Sequence, residues 1–457
     1  MEPERREEKA SLKEGDLVCK KCREERSVVC LRVRDTYCRS CFLTAVHHKV
    51  RASLGKHKAT RPGEVVVVAC SGGQASTALV HVLQQGVEAD IKRLLFLPRV
   101  VFVDEGAVLG EGEEVRRERV REVTASLARY GFPVYTALLE GYNSSTVVLS
   151  SGAEVPVIDR QLASDLQANL TSLRDHTARE EFLLQARRQV LVRAAQVLGA
   201  SKVVTGDSAS LLAVELMAGV AGGAGGALAS RVNFRDSRSS GVEVLRPLRE
   251  VSAKEAALYC RLQGLELVVQ GRELGTGQES LHSIRRLTQE FLVGLQQNFP
   301  ATIPTVLRTG DKLCPPAGQQ EEQDSCLLCQ ARLDTSLQGC CALQATQFSK
   351  LVSARGRDKG LGERVATILE EQEVGSKGCK EQEDKSECCG QGDGSCQSGG
   401  QEGGLSLEQV QQELCYSCRR VVERVKEVQE LPASLVKGVG ERRRREGMRK
   451  EISEFLL

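Results

Sequence analysis

No run in the 457-residue sequence approaches the ~20 consecutive apolar residues that span a bilayer, and its start, Met-Glu-Pro-Glu-Arg-Arg-Glu-Glu-Lys-Ala, lacks the apolar core of a secretory signal. A soluble, cytoplasmic protein is expected. Net charge is also nearly absent, with 63 Lys and Arg against 61 Asp and Glu, so the overall balance names no polyanionic partner. No internal repeat of fixed period is found. A further absence is local: between Cys70 and Cys260 there is no cysteine, which leaves that stretch without a thiol pair to carry sulfur or hold a cluster.

What is present begins with size. A chain of 457 residues, 41% apolar and 27% charged, is long enough for more than one folding unit and is mostly globular in composition. Charge is unevenly placed. Residues 1–62 carry 16 basic and 9 acidic side chains, and Glu441 to Lys450 contains four consecutive arginines, Arg442 to Arg445. Both ends are therefore basic, and the Arg442 cluster reads as a solvated helix face or as a contact to phosphates.

Composition separates five regions. Residues 1–62 form an N-terminal basic module with too few apolar groups to fold without a staple. Residues 63–312 form an α/β core. Residues 313–370 begin a C-terminal module, residues 371–404 are a low-complexity insertion expected to be disordered, and residues 405–457 complete the C-terminal module and its basic tail. In the core, β-branched runs at Val65 to Cys70, Arg99 to Asp104, Pro133 to Ala137, Lys202 to Thr205 and Val242 to Leu245 alternate with helical periodicity. Helices are expected at Gln74 to Gln85, Glu113 to Tyr130, Ala178 to Leu198, Ser208 to Met217 and Ser252 to Leu262. This alternation predicts βαβ units and a parallel sheet covered on both faces. The Gly-rich Ala218 to Gly226 reads as a flexible insertion.

The chain has 18 cysteines, and in a reducing compartment paired cysteines point to metal or redox chemistry. Cys19, Cys22, Cys38 and Cys41 form two C-x-x-C pairs with 15 residues between them, a spacing that places four thiolates around one structural Zn²⁺. Cys30, between the pairs, is left out. His47 and His48, on the basic helix that follows, read as solvated. Cys326, Cys329, Cys415 and Cys418 repeat the pattern across a wider gap, which costs closure entropy only logarithmically. They predict a second zinc site, with Cys314, Cys340 and Cys341 as competing ligands. Cys379, Cys388, Cys389 and Cys396 are irregularly spaced and read as solvated, and Cys70 and Cys260 read as core residues.

The first core strand runs into Ser71-Gly72-Gly73-Gln74-Ala75-Ser76. A glycine pair between a buried strand and a helix exposes backbone N–H groups where a phosphate can sit. Ser71, Gly72, Gly73 and Ser76 are the candidate nucleotide contacts; an ordinary strand-to-helix connection is the competing reading. Asp104, ending the second strand, is expected to face the crevice, where a ribose would lie.

This assembly resembles the PP-loop ATPase family of tRNA sulfurtransferases, and within it the companion subunit of the eukaryotic wobble-uridine thiolation complex. The resemblance covers nearly the whole chain. It rests on Tyr37-Cys-Arg-Ser-Cys-Phe42, Val67-Val-Ala-Cys-Ser-Gly-Gly73, Leu287-Thr-Gln-Glu-Phe-Leu292, Asn298-Phe-Pro300 with Arg308-Thr-Gly-Asp-Lys312, and Ile452-Ser-Glu-Phe-Leu-Leu457. It implies a PP-loop (adenine nucleotide alpha-hydrolase-like) fold, a heterodimer with the catalytic 2-thiolation protein 1, and tRNAs for Lys, Glu and Gln thiolated at position 34. It further implies a thiocarboxylated ubiquitin-related modifier as sulfur donor and ATP as a ligand of the family's turn. Active relatives carry Ser-Gly-Gly-Lys-Asp-Ser and Thr-Gly-His-Asn-Ala-Asp-Asp. Here Gln74 and Ala75 replace the Lys and Asp, and Thr205-Gly-Asp-Ser-Ala-Ser-Leu211 places Ser210 and Leu211 at the two acidic positions. The family's central cysteines have no counterpart. The resemblance therefore implies an accessory subunit without catalytic residues, with an autonomous ATP-dependent sulfurtransferase or a zinc-module scaffold as the alternatives.

Overall fold

In the computed structural model the described residues are 18–455 except 32–34, 91–92, 145–146, 153, 155, 174, 240, 269–282, 314–324, 334–404, 424 and 426. The expectations for the 371–404 insertion, for its four cysteines and for Cys314, Cys340 and Cys341 lie outside them. All described residues belong to one structural unit. Among them no helix is long and apolar enough to cross a membrane.

A two-stranded ribbon, β1 (Val29–Cys30) and β2 (Thr36–Tyr37), precedes helix α1 (Arg39–Lys56). The core sheet then begins at β3 (Val65–Ala69), four valines and an alanine whose branched side chains suit a pleated strand buried on both faces. It continues through α2 (Gln74–Glu88), β4 (Leu97–Asp104), α3 (Glu113–Ala128), β5 (Val134–Leu138), β6 (Leu149–Ser151), α4 (Arg160–Ser172), α5 (His176–Val197) and β7 (Lys202–Val204). A helical pair follows, α6 (Ala209–Ala221) and α7 (Gly225–Val232), then β8 (Arg235–Ser239), β9 (Val242–Leu245) and α8 (Ala253–Gln263). Helices α9 (Ile284–Asn298), α10 (Thr302–Gly310), α11 (Leu407–Gln412), α12 (Tyr416–Val422) and α13 (Ala433–Phe455) complete the described chain.

The seven strands lie in the order β6-β5-β4-β3-β7-β9-β8. The central five are parallel, while β6 and β8 pair antiparallel at the two edges. From β3 the chain moves first to β4 on one side and later to β7 on the other. That reversal opens a crevice beyond the carboxyl ends of β3 and β7, where open α/β sheets bind ligands.

The pleat sorts the core into two layers. Val67, Val101 and Val203 join the layer that contains Phe182, Leu183 and Val190 of α5. Val66, Val68, Val100 and Val204 join the opposite layer with Phe42 and Val46 of α1, Leu79 and Leu83 of α2 and Tyr259 of α8. Each sheet face is thus sealed by helices, as the near-continuous apolar strands require.

The Gly-rich Ala218 to Gly226 does not form a flexible insertion. It is the turn of the α6–α7 pair, held because Ala224, Leu228 and Val232 pack with Leu216 into a small core of their own. Composition exposed the glycines; the large apolar residues that anchor them, Leu216, Leu228 and Val232, lie just outside the window.

Candidate functional site

Two groups of four cysteines come together. The ligand sulfurs of Cys19, Cys22, Cys38 and Cys41 all lie within 4.8 Å of one another, as do those of Cys326, Cys329, Cys415 and Cys418. Sulfur separations of 3.9 Å for Cys22 and Cys38 and 3.6 Å for Cys329 and Cys415 are far too long for disulfides. They match the roughly 3.8 Å edge of a tetrahedron built from Zn–S bonds of about 2.3 Å. Four thiolates per group leave no open position for a substrate, so both groups fit a structural metal.

The two groups share one local design. Arg23 and Gln330, each four residues after the first cysteine, adopt left-handed backbone (φ 61° and 59°) and donate their N–H to the carbonyls of Cys19 and Cys326 at 2.9 and 2.8 Å. Short antiparallel bridges, Val18 to Arg26 and Ser325 to Arg332, close the turns. The second pair in each group begins at a helix N-cap, Cys38 before α1 and Cys415 before α12, where the helix dipole favours thiolate charge. Within the first group the thiols differ: against burial, backbone N–H groups of Cys38, Cys22 and Lys21 bring Cys19 down to about 6. The hydrogen bond to Cys38 pushes Cys41 up to about 12. In the second group Cys326 drives Cys329 well below and Cys418 well above the ordinary thiol value.

The Ser-Gly-Gly turn lies at the crevice. Gly72 takes φ +76°, a conformation that a side chain would strain, and Gly73 is the N-cap of α2. The hydroxyls of Ser71 and Ser76 are 3.2 Å apart, and Ser76 donates to the Gly73 carbonyl at 3.0 Å. From the other side of the crevice Gly206 lies against this turn so closely that a Cβ there would sit 2.8 Å from Ser76 Cα. Thus the four candidate residues Ser71, Gly72, Gly73 and Ser76 are brought together.

The charged positions are different. Gln74 is exposed at the first turn of α2, Ser210 Oγ accepts the Ala253 N–H at 3.1 Å, and Leu211, 40% exposed, lines the cavity. That cavity of about 680 Å³ adjoins a second of about 970 Å³, and both are lined by Ser71, Gly73, Glu105, Arg187, Asp207 and Leu211. Arg187 makes a two-point ion pair with Glu105, one arm at 2.7 Å, and Asp207 is held by Arg246 at 3.1 Å and by the Thr205 hydroxyl at 2.8 Å.

Asp104 does not face a ribose. It is fully buried, with Arg116 at 2.7 Å and Arg119 at 3.3 Å, and Arg116 also holds buried Glu140 at 2.7 Å. Burial pushes the Glu140 carboxyl above its usual range. A strand-end carboxylate signals a crevice only when no arginine on the following helix reaches it, and Arg116 does. His47 likewise departs from the expected solvated state. Its Nε2 meets the Tyr259 hydroxyl at 2.9 Å, and the same hydroxyl meets His81 Nδ1 of α2 at 2.8 Å; burial brings His47 down to about 4. His48 is exposed. Cys70 and Cys260 are buried, and burial raises both thiols, Cys260 to about 11, as inert core sulfurs require. Glu105 and Arg187 carry no motif in a single sequence, because their pairing is created by the fold.

A family model described as cytoplasmic tRNA 2-thiolation protein 2 matches residues 283–420. The cytoplasmic tRNA 2-thiolation protein 2 of Danio rerio is 32% identical, over 96% of this chain and 94% of its own length. The Homo sapiens protein of that name is also 32% identical, over 96% and 93%. Among solved structures, the U34-tRNA thiolase NcsA from Methanococcus maripaludis, described with its 4Fe-4S cluster, superposes with a TM-score of 0.50 at 17% identity, covering 68% of this chain and 95% of that one. At that identity the likeness speaks for the fold alone, a PP-loop sheet; the two four-cysteine groups are read from this chain's own geometry. With nearly full-length relatives above 30% identity, this chain belongs to the cytoplasmic tRNA 2-thiolation protein 2 family.

Proposed function

We propose that this chain is the accessory, non-catalytic subunit of a cytoplasmic complex that 2-thiolates the wobble uridine, position 34, of tRNAs for Lys, Glu and Gln. Its catalytic partner is 2-thiolation protein 1, with which it forms a heterodimer, and sulfur comes from a thiocarboxylated ubiquitin-related modifier. One observation carries the reading: the turn around Ser71, Gly72, Gly73 and Ser76 keeps its shape, while Gln74, Ala75, Ser210 and Leu211 stand where adenylation chemistry needs charge. Nucleotidyl transfer is catalysed mainly by electrostatic positioning and metal clamping, so these replacements remove orders of magnitude in rate.

The eight cysteines would hold two structural zinc ions, which contribute folding free energy and no chemistry. The module boundaries 1–62, 63–312, 313–370, 371–404 and 405–457 describe the same arrangement along the chain. Lys and Arg of the N-terminal module and of α13 would contact tRNA phosphates without reading sequence. Purification of each subunit alone and of the pair, followed by thiolation assays with ATP and the sulfur donor, tests the reading. Activity is expected from the catalytic subunit or the pair and none from this chain alone. Thiolation by this chain alone would overturn it.

A further inference from the structure

A pocket built for a polyphosphate presents unpaired cations and few carboxylates. The crevice above β3 and β7 shows the reverse. Six carboxylates line it, Glu105, Glu111, Glu118, Glu122, Glu180 and Asp207, against four arginines, Arg119, Arg187, Arg285 and Arg286. Each arginine is already engaged: Arg119 with Glu111 and Asp104, Arg187 with Glu105, Arg285 with Glu215, and Arg286 with Glu290. No lysine lines the crevice among the described residues. On the solvent side of α3, Glu118 pairs with the exposed Arg121 at 3.2 Å, and Glu122 is exposed. Between the charges the walls are apolar, with Phe102, Val108, Leu109, Val115 and Leu211, of which Val115 is 58% exposed.

An ATP triphosphate entering here would meet more carboxylates than arginines along the crevice wall, and at the Ser-Gly-Gly turn no uncommitted cation, since Arg187 is taken up by Glu105. A lysine- or arginine-bearing chain with apolar side chains between its charges would find complementary partners for both. We propose that this crevice is a docking groove for a cationic, amphipathic polypeptide segment of a partner protein. The proposal stands on the lining of the crevice and holds whatever the partner's activity. It assigns the groove an occupant of opposite charge to the nucleotide bound by the fold's active members.

The test uses the full chain, zinc-loaded and reduced, in calorimetric titrations. The probe is a twelve-residue peptide alternating lysine and leucine, compared with its glutamate–leucine counterpart and with ATP plus magnesium. The lysine peptide is expected to bind, to weaken as NaCl rises, and to lose about ten-fold in affinity in the Glu118→Lys/Glu122→Lys double variant, as several exposed charge pairs are exchanged for repulsions. Glu88→Lys, at the opposite end of α2, is expected to leave that affinity unchanged. The variants carry their changes on exposed helix positions, and their circular dichroism is expected to match the parent. Tighter binding of ATP than of the lysine peptide, equal binding of the glutamate peptide, or equal loss in the Glu88→Lys variant would each overturn the proposal. A thiolation assay on the complex responds to the subunit's role and not to this groove, so failure of one reading is distinguishable from failure of the other.

Discussion

The two four-cysteine modules share a turn and differ in where they sit. In the N-terminal module Cys19 and Cys38 are buried while Cys22 and Cys41 are partly open to solvent. The module meets the core through α1, whose Phe42, Val46 and Val50 join the α2–α8 layer. In the C-terminal module Cys326, Cys329 and Cys418 are fully buried and belong to the same apolar layer as Val67, Val101 and α5. Arg238 donates to the Cys329 carbonyl at 3.1 Å, and Gln330 is gripped by Arg188 at 2.9 Å and by Ser239 at 2.7 Å. One module is attached to the fold at its edge, and the other is part of the core. A metal held by each group would therefore stabilise a local element in one place and a sheet face in the other.

Breaking the C-terminal module should have the largest effect. Removal of one ligand by Cys418→Ser forfeits much of a metal-binding free energy that reaches about 10–16 kcal/mol in small zinc modules, comparable with the entire stability of a domain. Loss of cooperative folding is expected in thermal unfolding, with metal content falling from two equivalents to one. The Arg238→Ala change removes both the clamp on Cys329 and one of three arginines around buried Asp236, whose carboxyl Arg238 and Arg188 hold far below the usual range. Truncating one member of a buried ionic group costs about 3–5 kcal/mol, read as a lower urea midpoint with an unchanged slope.

Breaking the N-terminal module should be milder. Cys19→Ser is expected to lose one metal equivalent and to raise hydrogen exchange over residues 18–37, while the main thermal transition moves little. If the main transition vanished as it does for Cys418→Ser, the contrast between the modules would be void. The smallest effect concerns the joint between α1, α8 and α2. Tyr259→Phe deletes both imidazole hydrogen bonds at a cost of about 1–3 kcal/mol. Because burial lowers His47 to about 4, below its ordinary value near 6.5, the unfolded chain binds more protons between those limits. The stability contributed by neutral His47 is complete above about pH 6.5 and is lost as pH falls toward 4. Discounted for partial exposure, this amounts to about 1–2 kcal/mol, measurable as a shallower pH dependence in His47→Gln.

Much of this was legible in the sequence for physical reasons. The five parallel strands announce themselves through β-branched runs such as Val65 to Ala69, and helix α8 by its Ser252–Glu255 capping box. The edge strands were not legible, because β8 reads Arg-Asp-Ser-Arg-Ser, and its buried Asp236 is satisfied by Arg238 of the same strand together with Arg188 and Arg246, which only the fold brings to it. Helix α4 escaped too, although Asp159, which accepts N–H groups from Gln161 and Leu162, with Leu166 and Leu170 one turn apart, was a readable start signal. At the candidate site the cysteine spacing picked out both groups of four cysteines that the fold brings together. The destinations of Asp104 and His47 were hidden because Arg116 and Tyr259 reach them only in three dimensions. The likeness of the two cysteine turns was invisible as a repeat, since it lies in backbone conformation at Arg23 and Gln330 and not in side-chain identity.

The separation of the cysteine pairs also has a temporal side. The first four cysteines can come together once about forty residues have left the ribosome, whereas Cys326 and Cys329 must wait for Cys415, 86 positions after Cys329. At roughly 5–20 residues per second that interval lasts about 4–17 s, during which the α5 side of the nascent sheet lacks its final apolar cover. Were the C-terminal group left without a metal, the α5 layer would be the apolar surface that a chaperone meets first.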